Sequence, residues 1–332
     1  MSPAICISGC AGRGEYFFGT AVLSRQVGGT SFPNCNLSVI LLKSLLHKLA
    51  DNQEEICMKN ELLHIFRNSP FGREVLLQSI YFCRKNGVQL RVYIPEHSQF
   101  LMYFPEEAVA VDLGRSFLRS QESAKKHAKE IIRSMDGEAG FLQPKSHTAS
   151  TLPDIPVDFG FMTCPRTISD LSSKLSFGHI GPGARLIIKN ARFPLIIPTP
   201  FFKEWKHILV FFGGSRNAVK AFRLGIRLQG LSGLPLELFT HAEGKPRSYY
   251  EQILDEHDLL SHVQTGGVRW IFMEKGSFRE ALYDISHEAL IIVGAHGHGV
   301  MKEILFGSMM EHMQTILPNN LVIVGPHYTG DA

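Results

Sequence analysis

The sequence has 332 residues, of which 44% are hydrophobic and 20% are charged, and its formal net charge at pH 7 is +3. A chain of this length and apolar content is expected to bury more than one core, and we predict two domains. The composition excludes a wholly disordered chain. No long Lys/Arg run with interleaved aromatic residues is present, so we expect no nucleic-acid partner.

The cysteines are too scattered along the sequence for a disulfide framework or a zinc site, and we expect no metal site. No run approaches the ~18 uncharged apolar residues that a membrane span requires. Residues 1–14 lack a basic region followed by an apolar one, so no signal peptide is predicted. These features together predict a cytoplasmic protein with reduced thiols.

Residues 1–57 differ from the rest of the chain, because they are rich in Gly, Ser and Cys and show no strand–helix alternation. Within them, residues 37–49 have the spacing of an amphipathic helix, which would either cap a domain or lie on a partner or membrane surface. We interpret residues 1–57 as an N-terminal extension, irregular or helical. A misassigned start, with Met58 as the first residue of the native protein, is the alternative.

From Met58 onward, apolar strands alternate with amphipathic helices. The first helix is predicted to begin with Ser69 as N-cap and Pro70 at its first position. The stretch that contains Pro95 and Pro105 is predicted to be a long loop. In chain order, the predicted elements are strand 62–66, helix 69–86, strand 88–94, helix 116–135, a short helix 146–153, strand 159–162, helix 184–191 and strand 194–197.

Residues 201–328 show the same alternation more regularly. The predicted strands are 208–212, 234–240, 268–273, 289–293 and 321–324, and the predicted helices are 215–228, 249–260, 278–286 and 309–316. Short apolar strands alternating with helices are typical of a parallel sheet with helices on both faces. We therefore predict an α/β protein with two tandem open parallel sheets of five strands each, in domains 58–200 and 201–328, with a tail at 329–332.

The two predicted domains resemble each other in sequence, which indicates an internal duplication. Residues 62–69 align with residues 208–215, and in both cases a helix of about four turns and then a strand follow. Near the ends of the domains, residues 193–197 align with residues 319–323.

A glycine-rich segment follows the fourth predicted strand of the second domain. Gly294 and Gly297 are separated by two residues, and nine residues later come Gly307 and Ser308. Glycines at the carboxyl end of a strand allow backbone N–H groups to approach a phosphate, and a helix N-terminus after Ser308 would add further donors. The alternative is structural: glycines also end strands, and Ser308 would be an N-cap only.

This spacing between an apolar strand and a helix resembles the ATP-binding signature of the universal stress protein family. The resemblance covers residues 206–326 well and residues 60–200 weakly. It implies a five-stranded parallel sheet, pairing of two such units within the chain or in a homodimer, and ATP or AMP held by Gly294, Gly297, Gly307 and Ser308. His298 stands where many relatives have a basic residue, so it either contacts a phosphate or is exposed to solvent.

Two departures from the family pattern affect the expected site. ATP-binding relatives have an acidic residue after the first strand, where this chain has Gly213. Losing a charged acceptor typically costs about 1.5–3 kcal/mol, so we expect weakened nucleotide binding or none. The first domain departs further, since Arg67 follows its first strand and Pro165 and Pro182 each remove an N–H group. We expect that domain to be a structural partner for the second.

Three functions are compatible with these features. The first is a stress-associated regulatory protein that binds an adenine nucleotide in the second domain and acts through partner proteins. The second is a scaffold without a ligand. The third is a weak adenine-nucleotide hydrolase, which would need a base or a metal ligand near the γ-phosphate. Gly213 supplies neither, so no catalytic residue is assigned.

Overall fold

A large, mostly parallel sheet with helices on both faces dominates the structure, a computed structural model that describes residues 59–113, 120–144, 152–164, 182–295 and 318–329. In the first half of the chain the elements are β1 (Lys59–Ile65), α1 (Pro70–Asn86), β2 (Gln89–Tyr93), β3 (Gln99–Tyr103), β4 (Ala108–Asp112), α2 (Gln121–Ser134), β5 (Ala139–Leu142), β6 (Asp154–Ile155), β7 (Phe159–Thr163), α3 (Pro182–Asn190) and β8 (Leu195–Ile197).

The second half has a similar order of elements. They are β9 (His207–Phe211), α4 (Arg216–Ser232), β10 (Leu236–His241), α5 (Arg247–Glu256), α6 (Leu260–Gln264), β11 (Val268–Met273), α7 (Phe278–Tyr283), β12 (Ala289–Gly294) and β13 (Asn320–Val324). The predicted helix 309–316 and the whole of residues 1–57 lie outside the described residues. None of the helices in the described part of the chain has the length and hydropathy that crossing a membrane requires.

The order of the ten strands in the large sheet is β11-β10-β9-β12-β13-β8-β7-β1-β2-β5. Each half therefore contributes five strands in the spatial order third, second, first, fourth and fifth. The α/β fold predicted from the sequence is confirmed. All described residues belong to one compact unit, Ile56–Ala332.

The two halves join where β13 pairs with β8, which is the one antiparallel pair in the described large sheet. Val322 lies opposite Ile196, flanked by the pairs Leu321–Ile197 and Ile323–Leu195. This register relates the two halves by an approximate two-fold axis between β13 and β8. Rotation about this axis places residues 195–197 on residues 321–323, which are also the residues that correspond in the sequence alignment.

The first helix of each half begins as the sequence predicts; α1 also ends where it is predicted to end, whereas α4 continues past its predicted end at Leu228 to Ser232. Ser69 accepts a hydrogen bond from the Gly72 N–H at 3.0 Å, and Ser215 accepts one from the Ala218 N–H at 3.2 Å. Each helix ends at a glycine in the left-handed region, with φ 63° in the first half and 68° in the second. A residue without a Cβ adopts that conformation most readily, so these glycines stop the helices.

Two hydrophobic cores cover the two faces of the large sheet. One face, here called the α1/α4 face, is covered by α1, α2, α4 and α5, with buried residues such as Leu76, Ala128 and Phe222. The opposite face, the α3/α7 face, is covered by α3, α7 and a small separate sheet, with buried residues such as Ile187 and Leu282.

The small sheet corrects the prediction of a long loop after β2. Its strand order is β4-β3-β6, and it packs Phe100, Met102 and Val111 onto the α3/α7 face of the first half. Pro95 and Pro105 were the basis of the loop prediction, but Pro95 precedes β3 and Pro105 lies between β3 and β4. Prolines outside the hydrogen-bonded ladder are compatible with strands on either side.

Two helices of the second half are shorter than predicted. The predicted helix 249–260 is divided into α5 and α6, because Asp258 has φ 59° and breaks the helical backbone. The predicted helix 278–286 ends at Tyr283. Most of the predicted short helix 146–153 lies outside the described residues. The residues immediately after it, Asp154–Ile155, form the strand β6.

Candidate functional site

The strand order of the second half reverses between β9 and β12. The chain leaves β9 for β10 on one side, whereas β12 lies on the other side of β9. In open α/β sheets, ligands bind outside the carboxyl ends of the strands at such a switch point. Val210 pairs with Ile292, so the ends of β9 and β12 lie side by side and bring Gly213 and Gly294 to the same edge of the sheet.

Gly294 lies directly beneath the first turn of α4. A Cβ on Gly294 would overlap the carbonyl group of Asn217 and lie 2.7 Å from the Ala218 nitrogen. The Asn217 side chain donates a hydrogen bond to the Ala295 carbonyl, and the Ala295 N–H donates to the Val324 carbonyl at 2.7 Å. Gly294 therefore has a packing role that the sequence did not reveal, because it lets a helix N-terminus approach the switch point.

The other residues of the predicted glycine loop are not placed by the structure. Gly297, His298, Gly307 and Ser308 lie outside the described residues, so their roles remain predictions. Of the predicted site, the structure brings together Gly294 and the segment after β9 that contains Gly213.

The N-terminus of α4 adds a cation that sequence reasoning missed. Arg216 is the first residue of α4 and is exposed, and the first turn contains no acidic residue. A positive charge at a helix N-terminus opposes the helix dipole, which instead favours an anion there. In the sequence, Arg216 directly follows Gly-Gly-Ser, and a basic residue at that position indicates that an anion could bind there.

A small hollow adjoins the switch point on the α3/α7 face. Its cavity volume is only about 10 Å³, room for little more than one water molecule, and its lining residues are Phe211, Phe212, Gly213, Phe239, His241, Glu243 and Phe278. The ring centroids of Phe211 and Phe239 lie 5.2 Å apart, and those of Phe211 and Phe278 lie 5.8 Å apart. The hollow therefore has an aromatic wall, and Gly213 lies both in its lining and directly after β9 at the switch point.

The turn after β10 brings an acidic residue to this hollow. Glu243 has φ 48°, an uncommon conformation for a residue with a side chain, and Gly244 follows with φ 78°. The Tyr250 hydroxyl donates to the Ala242 carbonyl at 2.8 Å. Burial and then the nearby charge of Glu243 raise the pKa of Tyr250 to about 12. Sequence reasoning missed Glu243, although a Glu-Gly pair directly after a strand was visible.

His241 fixes the other side of the same turn. Its Nε2 lies 3.1 Å from the Gly276 carbonyl, so Nε2 carries the proton and donates. Its ring meets Phe278 edge to face, with centroids 5.8 Å apart. These contacts tie the end of β10 to the segment before α7 and hold the wall of the hollow in place. Within the described ranges, no group of three or more His, Cys, Asp or Glu side chains could hold a metal ion.

The corresponding position in the first half is occupied by a buried arginine. Arg67 follows β1 and is only 9% exposed. Burial lowers its pKa and raises that of the neighbouring Cys164 thiol to about 12, while the mutual attraction of their charges opposes both changes. The switch point of the first half thus contains a guanidinium group where the second half has Gly213.

Comparison with known proteins finds structures with a similar fold but no protein with a similar sequence. No protein-family model and no curated protein matches the sequence. The chain is similar to the structure of a universal stress protein from Archaeoglobus fulgidus DSM 4304, with a TM-score of 0.51 and 14% identity, covering 82% of this chain and 98% of that one. A functionally uncharacterised Pseudomonas aeruginosa PAO1 protein gives a TM-score of 0.48 and 9% identity, covering 82% and 94% of the two chains. The strand order and the first of these similarities show that this chain has the α/β fold of a universal stress protein.

Proposed function

We propose that this protein is a universal stress protein-like regulatory protein that binds ATP or AMP at the switch point of its second half. The observation that carries the proposal is the switch point between β9 and β12. There Gly294 lets the N-terminus of α4 approach the carboxyl ends of the two strands. Helix N-termini at switch points offer unpaired N–H donors to phosphate groups.

The phosphates are assigned to the α4 side of the switch point. The first turn of α4 contributes backbone donors and the exposed Arg216, and no carboxylate of that turn opposes an anion. Gly297, His298, Gly307 and Ser308 are proposed to complete the phosphate contacts, as the sequence predicts. Charge-assisted hydrogen bonds of this kind are about twice as strong as neutral ones.

The nucleoside is assigned to the switch point, against the mouth of the hollow beside Gly213. The aromatic side chains that line the hollow, Phe211, Phe239 and Phe278, are buried and form an apolar floor there. The hollow itself is too small to enclose any part of a nucleoside, which would therefore lie outside it at the carboxyl ends of β9 and β12. This limited enclosure agrees with the weak binding that Gly213 led us to expect.

Isothermal titration of the full chain with ATP, AMP and adenosine tests the proposal. Arg216→Glu should weaken ATP binding about tenfold or more, since it replaces a charge-assisted contact by repulsion. Adenosine, which has no phosphate, should be affected little. Lys189→Glu is the matched control, because Lys189 is exposed near the end of α3 in the first half.

The same titration separates the proposal from its alternatives. If well-folded protein gives no heat with any of the three compounds, it does not bind adenine nucleotides, and the scaffold function is favoured. Phosphate release above background would favour a hydrolase. Gly294→Val is unsuitable as a binding test, because its side chain would collide with the backbone of α4.

A further inference from the structure

One end of the large sheet is formed by β11, which pairs with β10 and with no other strand in the described part of the chain. All of β11 follows β10 in one unbroken register. The Met273 carbonyl accepts from the Ala242 N–H at 2.9 Å, so Met273 turns its backbone groups toward β10. Because these groups alternate in direction along a strand, Trp270 and Phe272 turn theirs outward, away from β10.

The side chains of β11 leave both faces of the sheet apolar at this end. Trp270 and Phe272 pack on the α1/α4 face, and both are only partly buried. Ile271 and Met273 pack on the α3/α7 face and are also partly buried. Both cores of the second half are therefore incompletely covered at β11. An edge that is regular and apolar in this way is a template for pairing with a further strand.

The cations beside β11 are each paired with a carboxylate. Arg269 is the one charged residue of β11, and its Nη2 lies 2.6 Å from Glu237 Oε1 on β10. The guanidinium carbon of Arg247 lies 4.5 Å from the Trp270 ring centroid, and its Nε donates to Glu251 Oε1 at 3.0 Å. Opposite charges in contact weaken each other's field at longer range, so these cations do not prevent a second copy of the same edge from approaching.

The opposite end of the sheet, β5, is better protected against strand pairing. It has only four residues, Ala139–Leu142, and one of them is Gly140. Lys125 and Lys129 of α2 lie over the Phe141 ring, with their Nζ atoms 5.4 and 5.7 Å from its centroid. Short length and lysine side chains are ways in which proteins block edge-to-edge pairing, and glycine weakens a strand. This difference favours association of β11 with its own copy over head-to-tail association of β11 with β5.

We propose that this protein forms a symmetric homodimer in which β11 pairs antiparallel with β11 of a second copy. The two-fold axis lies at Ile271, so that Trp270 of each copy lies opposite Phe272 of the other. Both residues turn their backbone groups outward, so they exchange hydrogen bonds, and their side chains meet on the α1/α4 face. The large sheet then continues through both copies.

The neighbouring registers that keep outward groups opposite each other are less favourable. An axis one residue later would place Arg269 opposite Lys275, and like charges directly opposite each other destabilise a sheet. An axis one residue earlier would place Met273 opposite Gly267, which has no side chain to cover it. The axis at Ile271 avoids both arrangements.

Sedimentation velocity of the full chain over a range of concentrations tests the pairing. Wild-type protein should show a reversible monomer–dimer equilibrium. Ile271→Lys and Ile271→Glu each place like charges opposite each other at the axis, and each should raise the dimer dissociation constant about tenfold or more. An equimolar mixture of the two variants should restore association, since opposite charges then meet at the axis. Leu142→Lys on β5 is the matched control and should associate as wild type does.

A cysteine cross-link provides a second test, which a poorly folded charge variant does not prevent. Ile271 turns its backbone groups toward β10, so the proposed axis makes it a non-hydrogen-bonded pair with its own copy. Cα atoms of such a pair lie about 4.5 Å apart, a separation that a disulfide spans. Oxidised Ile271→Cys protein should therefore form more covalent dimer than wild type, whereas Leu142→Cys should not.

Every other result overturns the proposal. If wild-type protein stays monomeric up to the highest concentration at which it is soluble, β11 does not pair with its own copy. A dimer that Ile271→Lys does not weaken and Ile271→Cys does not cross-link forms through another surface. Association that Leu142→Lys abolishes indicates head-to-tail pairing of β11 with β5. Because these measurements contain no nucleotide, their result is independent of the function proposed above.

Discussion

The two halves of the sheet share a strand order but differ in the core beneath their first helix. In the first half, His64 on β1, Ser79 on α1 and Thr163 on β7 form a buried polar trio. The Ser79 hydroxyl lies 2.9 Å from His64 Nδ1 and 2.8 Å from Thr163 Oγ1. Hydrogen bonds therefore connect α1 to two central strands.

The second half has an apolar trio at the equivalent positions. Val210 pairs with Ile292 across β9 and β12, as His64 pairs with Thr163 across β1 and β7. Gly225 lies ten residues after the N-cap of its helix, as Ser79 does. A Cβ on Gly225 would lie only 2.6 Å from a Val210 methyl carbon. The same architecture thus tolerates a hydrogen-bonded core in one half and a close-packed apolar core in the other.

The polar trio specifies the protonation of His64. The Ser79 hydroxyl also lies 3.1 Å from the Val75 carbonyl, to which it donates its only proton. Ser79 then accepts from both Thr163 and the Nδ1–H of His64. This leaves Nε2 as a buried acceptor without a partner among the described residues. Burial lowers the pKa of His64 to about 3.

The largest effect is expected from acid. Below pH 6.5 the unfolded chain protonates His64 and the folded chain does not, so stability falls as the pH falls toward 3. At pH 4.5 the loss from this residue should reach about 2–3 kcal/mol relative to pH 7.5. Urea unfolding at both pH values should show a smaller pH dependence in His64→Val than in wild type. The exposed His287 provides a control, since His287→Val should keep the wild-type dependence.

Removing the central hydroxyl of the polar trio should have the next largest effect. Ser79→Ala leaves His64 and Thr163 without their buried partner, which should cost about 2 kcal/mol of unfolding free energy. The reciprocal change Gly225→Ser in the second half should not create a polar network, because its neighbours there are apolar. A Ser79→Ala protein as stable as wild type in urea would show that the trio contributes nothing to the first half.

The smallest effect is expected at the close contact of the apolar trio. Gly225→Ala should destabilise the protein by about 1 kcal/mol, although alanine favours helices, because the added methyl group crowds Val210. Val210→Ala in the same chain should relieve that crowding, so the double variant should lose less than the sum of the two single variants. Gly230→Ala on the exposed surface of α4, where no atom crowds the new methyl, should be neutral or stabilising.

Much of the fold could be predicted from the sequence, because apolar runs and helix caps are patterns of residues that lie close together in the chain. The strands β9, β12 and β13 consist mainly of short apolar runs, and the caps Ser69 and Ser215 act within one turn. The hairpin β3–β4 does not follow from the sequence pattern, because Pro95 and Pro105 favour a loop, although residues 99–103 alternate between buried and more exposed positions. Whether a segment is buried against one face of a sheet depends on tertiary packing, which cannot be predicted from the prolines near that segment.

The candidate site was less accessible from the sequence. The spacing after β12 pointed to Gly294, but not to its packing against α4, which depends on the crossing of two elements distant in sequence. Glu243 and Arg216 were overlooked because neither belongs to the glycine spacing, and only the strand order brings them near Gly213. Gly297, His298, Gly307 and Ser308 remain predictions.

The antiparallel seam between β13 and β8 has a consequence for how the two halves stay together. In a pair of separate chains, such a seam would open on dilution, since association depends on concentration. Here both strands belong to one polypeptide, so their effective concentration is set by the length of chain between them. The seam joins two similar strands, Leu321-Val322-Ile323 and Leu195-Ile196-Ile197, that lie at different positions of the same chain. A substitution in one half is therefore not duplicated across the axis, and each half can lose or keep a binding crevice independently.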